Sequence, residues 1–251
     1  MLIFDFDGVL MDSVREIAVT AYNTLTGNIV TRLNRIAPQA LDLFFRNRFH
    51  VQPIGDALVL MNWCLETGDS QPHKLLNEKE YDNILQQVEE PAAGRTVRFF
   101  ETRSQFKAKD IKAWLALNEP VQPVWRLLLE RPSDDLVMLT NKNREATIAL
   151  CTHFGLEVSN DNIYSGDKGA TKIDNFNRIM QRFKKSTYAF IDDSVKNLRE
   201  IDAHFNGDEK VVSLIFAAWG YTGPNDVHLA RSLGYQALPI AEFADRFPNG
   251  L

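Results

Sequence analysis

Two aspartates stand two residues apart near the start of the chain, in Asp5-Phe6-Asp7-Gly8-Val9. On a strand, that spacing turns both carboxylates to one side. At the strand's C-terminal end they would face a ligand together. A hard divalent cation such as Mg²⁺ takes carboxylate and carbonyl oxygens. One carboxylate can attack phosphorus to give an aspartyl phosphate. A second acid can protonate the leaving group and then activate water. Gly8 would let the backbone approach a phosphate closely. A plain Asp-Gly turn is the competing explanation, and the motif alone does not decide between them.

Three further features have the same character. Leu139-Thr140-Asn141-Lys142 offers a hydroxyl and an amide to phosphate oxygens, unless Thr140 or Asn141 only caps the next helix. Lys168 or Lys172 would balance phosphate and carboxylate charge, against the commoner case of a solvated lysine. Asp192 and Asp193 follow an apolar run, where adjacent acids are costly unless paired or coordinated. Metal ligation and a helix N-cap both fit them. Together the four features supply a nucleophile, an acid/base, metal ligands and neutralising donors, which is the equipment of phosphoryl transfer.

The elements that must carry these residues are legible. Residues 2–7 read as a buried strand ending at Gly8, and 13–118 as mainly helical, with breaks at 69–72 and at 91–94. Within it, Ala57, Leu58, Met61, Trp63 and Leu65 form an apolar helical segment. After Pro120 a helix is expected over 124–129, ended by Pro132-Ser133-Asp134. Strands are then expected over 136–141, 162–166, 187–193 and 211–218. Helices over 143–154, 172–183, 194–205 and 225–233 follow them in turn. Such alternation implies an α/β fold, a Rossmann-like doubly wound parallel sheet with its ligand at the carboxyl ends of the strands. The domains expected are a core of 1–12 and 119–251, with an all-helical domain, 13–118, inserted after the first strand.

Bulk properties narrow the class. The 251 residues are 45% hydrophobic and 24% charged, ordinary for a globular protein, and can bury a sizeable core. A net charge of −5 argues against a general binder of nucleic acid or anionic membranes. Cys64 and Cys151 have no metal-ligand spacing and read as free thiols of a reducing compartment. Acidic residues interrupt the first apolar run, so no targeting segment or membrane span is expected, which points to the cytoplasm.

The four features resemble, in order, the four motifs of the haloacid dehalogenase-like (HAD) superfamily, in its phosphatase branch. The resemblance implies Asp5 as nucleophile, Asp7 as acid/base, Thr140 as the phosphoryl-binding group and Lys172 as the site lysine that balances charge, with Asn141 and Gly8 beside the substrate. Mg²⁺ would be held by Asp5, the Asp7 backbone carbonyl and Asp193, with Asp192 supporting it. Lys172 is preferred to Lys168 because Lys172-Ile173-Asp174-Asn175-Phe176 is similar to the family's lysine and following helix, although Ile173 replaces the usual proline. Asn197 stands where many members carry another acid. The 13–118 insertion is similar to the helical cap of the phosphoglycolate phosphatase and β-phosphoglucomutase subgroup, which closes over the site and selects the substrate. Ala218-Trp219-Gly220-Tyr221 also resembles that subgroup, though packing accounts for Trp219 and Tyr221.

Several readings compete at this stage. Hydrolysis of a small phosphomonoester leads; the expected partner is a small phosphorylated metabolite, with no nucleic acid and no membrane, and the chain a monomer or homodimer. A phosphomutase needs the same core. A phosphonatase needs a Schiff-base lysine, for which Lys74, Lys79, Lys107, Lys109 and Lys112 are available. A non-catalytic binding protein on the same fold is the alternative outside enzymes. Arg46, Arg48, Arg95, Arg98 and Arg103 are expected mostly as surface charges, with a minor prospect of meeting an anionic substrate. Trp63 and Trp114 are expected in the helical domain's core.

Overall fold

In the computed structural model, which describes residues 1–132, 136–207 and 209–247, the opening apolar run forms β1 (Leu2–Phe4). A tight turn leads to β2 (Met11–Asp12). Six helices follow: α1 (Val14–Thr26), α2 (Pro38–Asn47), α3 (Asp56–Thr67), α4 (Glu78–Gln86), α5 (Ala92–Lys109) and α6 (Ile111–Leu115). The chain returns through β3 (Glu119–Pro120), which pairs antiparallel with β2. Then come α7 (Val124–Leu129), β4 (Val137–Thr140), α8 (Arg144–His153), β5 (Ile163–Ser165), α9 (Lys172–Phe183), β6 (Tyr188–Asp192), α10 (Val195–Phe205) and β7 (Val212–Ala217). The last elements are α11 (Asp226–Ser232), β8 (Gln236–Leu238) and α12 (Ile240–Arg246). Ser133, Asp134 and the Lys168 side chain lie outside the described residues.

The chain divides into two compact units, residues 1–12 with 119–251, and residues 13–118. In the first, β5-β4-β1-β6-β7-β8 form a sheet whose pairings are all parallel. Such a sheet is covered on both faces, so its strands read as continuous apolar runs; β6 is buried at every residue. On one face Ile3, Leu139 and Phe190 pack with Phe176, Ile179, Leu198 and Ile201 of α9 and α10. On the other, the ring of Phe4 meets those of Phe243 and Phe247, with centroids 6.2 and 5.9 Å away. The chain runs from β1 to β4 on one side and from β6 to β7 on the other. The strand order therefore reverses between β1 and β6, where the carboxyl ends leave a crevice.

The helical unit has a core of its own, with Ile17, Ala21, Leu43, Phe44, Leu60, Met61, Phe99, Phe106 and Trp114 among its buried residues. At its centre lies an ion pair. Glu16, fully buried, accepts two bonds from Arg103 at 2.9 and 2.7 Å, one from Trp114 Nε1 at 3.0 Å and one from the Thr20 hydroxyl at 2.7 Å. A second buried pair joins Arg95 to Asp56 at 2.6 Å.

Several local expectations need correction. β1 ends at Phe4, not at Asp7. The Asp5 amide still donates to the Ile191 carbonyl of β6, but the chain then turns, with Leu10 and Met11 amides both donating to the Phe6 carbonyl. Asp5 and Asp7 are therefore brought close by a turn, not by strand alternation. Pro91 is the N-cap of α5, so the helix runs through Ala92–Gly94, where a break was expected. Arg95 and Arg103 are core ion partners, not surface charges. Trp63 is half-buried against a cavity of about 350 Å³, while Trp114 is fully buried. β8, α12 and the β2–β3 pair were not among the expected elements.

Candidate active site

Asp5 leaves the end of β1, Thr140 ends β4 and Asp192 ends β6, so three neighbouring strands present their C-terminal residues along one edge. Lys172 is brought there by α9. Thr171 caps this helix: its hydroxyl accepts from the Asp174 amide, and the Asp174 carboxylate accepts from the Thr171 amide. Lys172 is thereby the first helical residue. Phe176 and Ile179, one and two turns on along the same face, are buried in the sheet's core. A cation in a first helical turn opposes the helix dipole, so carboxylates must compensate it. Lys172 Nζ donates to Asp5 Oδ1 at 2.9 Å and to Asp192 Oδ2 at 2.5 Å. Burial would lower this ammonium's pKa, but Asp192 and Asp5 beside it hold it above the usual lysine value.

Burial acts in the opposite direction on Asp5. It pushes the carboxyl pKa up to about 7; Lys172 offsets part of this and Asp192 adds to it. Asp5 is thus a buried carboxylate that its lysine does not fully stabilise. Asp5, Asp192 and Asp193 each offer an oxygen within 4.8 Å of the others. That spacing and oxygen-only donor set suit a hard divalent cation, whose charge would relieve the excess on Asp5. The residues present therefore fit Mg²⁺.

Asp192 is held from several sides. Its Oδ1 accepts from the Ser194 amide at 2.8 Å, and the Asn197 amide group donates to both oxygens at 3.2 and 3.0 Å. Asn197, where a further acid was considered, thus orients Asp192 with a neutral donor. Ser194, not either aspartate, caps α10.

Asp7 pairs with a different lysine. Lys142 Nζ lies 3.0 and 3.2 Å from its two carboxylate oxygens, and the Lys142 side chain is fully buried. Thr140, also buried, accepts from the Lys142 amide at 3.1 Å, which turns the chain after β4. Neither Thr140 nor Asn141 caps α8; Asn143 stands at its N-cap position without a side-chain capping bond. Asn141 is exposed. Lys142 was visible only as a letter beside Thr140, because its partner lies 135 residues away.

Gly8 has a structural reason besides the one expected. Its φ is +86°, and a Cβ there would lie 2.0 Å from Asp193 Oδ2. The glycine makes room for the acid, whatever it does for a phosphate. Tyr221, which packing alone was expected to explain, donates its amide to Asp193 Oδ2 at 2.6 Å. Trp219 does pack, against Phe243, and its Nε1 donates to the Val9 carbonyl.

The remaining arginines considered in the helical unit have partners within it. Arg46 pairs with Asp42, Arg98 with Glu90, and Arg48 donates to the Val51 carbonyl. Of its lysines, Lys74 pairs with Glu80, Lys107 lies over the Trp114 ring and Lys109 donates to the Ile29 carbonyl; Lys79 and Lys112 are exposed.

Residues 1–201 match the haloacid dehalogenase-like hydrolase family. The chain belongs to that family. As a HAD-like hydrolase it is an enzyme with the α/β fold just described. Its fold is similar to that of a predicted phosphatase from Clostridium acetobutylicum, at 15% identity over 99% of this chain and 98% of that one, with a TM-score of 0.62. A predicted phosphoglycolate phosphatase from Haemophilus somnus is similar at 16% identity over 99% and 96%, with a TM-score of 0.56. A HAD-like protein of unknown function from Agrobacterium tumefaciens is similar at 17% identity over 99% and 95%, with a TM-score of 0.54. At these identities the likeness concerns the fold. No match is found among curated protein sequences.

Proposed function

We propose that this HAD-like hydrolase is a Mg²⁺-dependent phosphatase of small phosphomonoesters, working through an aspartyl phosphate on Asp5. The observation that carries the reading is the buried cluster in which Asp5 meets Lys172 at 2.9 Å and offers an oxygen within 4.8 Å of oxygens of Asp192 and Asp193. Asp5 attacks phosphorus, and the ester oxygen leaves with a proton from Asp7. Asp7 then takes a proton from the water that cleaves the acyl phosphate, which regenerates Asp5. Lys172 and Thr140 hold the phosphoryl oxygens, with Asn141 and the Gly8 turn beside the substrate. Asp5, Asp193 and the Asp7 carbonyl would hold Mg²⁺, with Asp192 in support, and the ion supplies charge neutralisation around the phosphoryl group. Residues 13–118 are read as the inserted cap domain. The predicted phosphatases of similar fold support this reading, and one of them is named for phosphoglycolate.

The test is phosphate release from p-nitrophenyl phosphate and a panel of metabolite phosphates, with Mg²⁺ or EDTA, for wild type and Asp5→Asn. Turnover that needs the metal and vanishes in the variant is expected. A folded, Mg²⁺-binding protein that releases phosphate from none of them would overturn the reading.

A further inference from the structure

The turn after β7 makes contacts that neither the motif pattern nor the reaction scheme uses. A Cβ at Gly220 would lie 2.3 Å from Asp193 Cβ and 2.5 Å from its Oδ2. One at Gly8 would lie 2.0 Å from the same oxygen. The Asp193 side chain therefore lies against the bare backbone of two glycines from loops 212 residues apart in sequence (Gly220 minus Gly8). Tyr221 adds direction, since its amide donates to Asp193 Oδ2 at 2.6 Å. The turn is itself anchored. The Gly220 amide donates to the Ala217 carbonyl and the Thr222 amide to the Gly220 carbonyl. Trp219 Nε1 reaches the Val9 carbonyl at 3.1 Å, and the Tyr221 hydroxyl reaches Asp12 Oδ1 at 2.9 Å. The turn thus holds the loop after β1 at Val9, β2 at Asp12, and Asp193 as well.

We propose that Gly220 and Tyr221 are positioning residues for the carboxylate of Asp193, setting its place and rotation for Mg²⁺. The inference rests on the reading of Asp193 as a metal ligand. Mg²⁺ demands near-ideal octahedral geometry at short distances, so a displaced carboxylate is a poor ligand. Groups that orient metal ligands typically contribute about 10–100-fold to metal affinity. Gly220 is the informative position because its backbone is not in the left-handed region. Alanine is conformationally allowed there, and the contact with Asp193 is what changes. At Gly8 the positive φ would confound the result.

The experiment is calorimetric titration with Mg²⁺, without substrate, of wild type, Asp193→Asn, Gly220→Ala, Tyr221→Phe and Gly207→Ala. Gly207 has open space around it and serves as control. Gly220→Ala is expected to weaken Mg²⁺ binding about 10–100-fold. Tyr221→Phe keeps the amide but loses the Asp12 anchor, so a smaller weakening is expected; Gly207→Ala should bind as wild type. Wild-type affinity in Gly220→Ala, alongside lost binding in Asp193→Asn, overturns the positioning role and leaves the ligand reading standing. Undiminished binding in Asp193→Asn removes the ligand reading and the proposal with it. Should Gly220→Ala fail to fold, Gly220→Ala with Asp193→Gly is expected to restore the thermal transition, because the clashing side chain is gone. A double variant that stays unfolded counts against the contact.

Discussion

Asp5 and Asp7 show how one motif yields two differently supported acids. Asp5 shares Lys172 with Asp192, and burial raises its pKa to about 7 from an ordinary 3.8. Without metal, the stability contributed by neutral Asp5 is complete below about pH 4 and lost as pH rises through about 7. Asp5→Asn escapes that loss. The stability gap between the metal-free variant and wild type should therefore move in the variant's favour from pH 5 to pH 8. Thermal melts at both pH values check this, and a gap unchanged between them would refute it. Asp7 instead pairs with Lys142, whose side chain is fully buried. Lys142→Met should lower kcat about 10²-fold on alkyl phosphates, whose departure needs a proton, and much less on p-nitrophenyl phosphate. Equal losses on the two would show that Lys142 does not act through the acid.

At the scale of elements, α9 performs two tasks with one face. Phe176 and Ile179 anchor the helix on the sheet, and the cap at Thr171 sets where its first turn begins, hence where Lys172 stands. Thr171→Ala should cost about 1 kcal/mol, with Thr171→Ser close to neutral. Denaturant midpoints at unchanged m-value would show it, and an unshifted midpoint in Thr171→Ala would mean that the cap contributes nothing. Ser194 and Asn197 do the corresponding work for β6 and α10, holding Asp192 through backbone and side-chain donors at the helix start. Both helices start beside the carboxylates that their first residues contact, so local capping and site geometry are one arrangement.

For the whole molecule, the two units carry separate cores. Glu16 is fully buried in the helical unit and relies on Arg103, Trp114 and Thr20 for its hydrogen bonds. Removing one partner of such a pair leaves a buried charge and costs about 3–5 kcal/mol. Arg103→Leu should therefore lower the melting temperature sharply while KM of the folded enzyme stays at its wild-type value. A raised KM at unchanged stability would return Arg103 to the role of a substrate contact. Among the described residues, no helix is long and apolar enough to cross a membrane.

Much was determined by the sequence alone. Continuous apolar runs ending in Asp, Thr-Asn or Asp-Asp mark parallel strands buried on both faces, and α9 begins and ends where its periodicity says, at Lys172 and Phe183. The order of the strands and the chemistry of their last residues pointed to Asp5, Thr140 and Asp192 at one sheet edge, whereas the choice of Lys172 over Lys168 came from the family resemblance. Periodicity reports which face of an element is buried, but not what that face meets across the fold. Tertiary structure alone decided that Lys142 faces Asp7, that Gly8 and Gly220 make room for Asp193, and that Arg95 and Arg103 are interior. Each of these depends on a contact between residues dozens to hundreds of positions apart. A lone lysine, glycine or arginine carries no local pattern that distinguishes such a contact from a place at the surface.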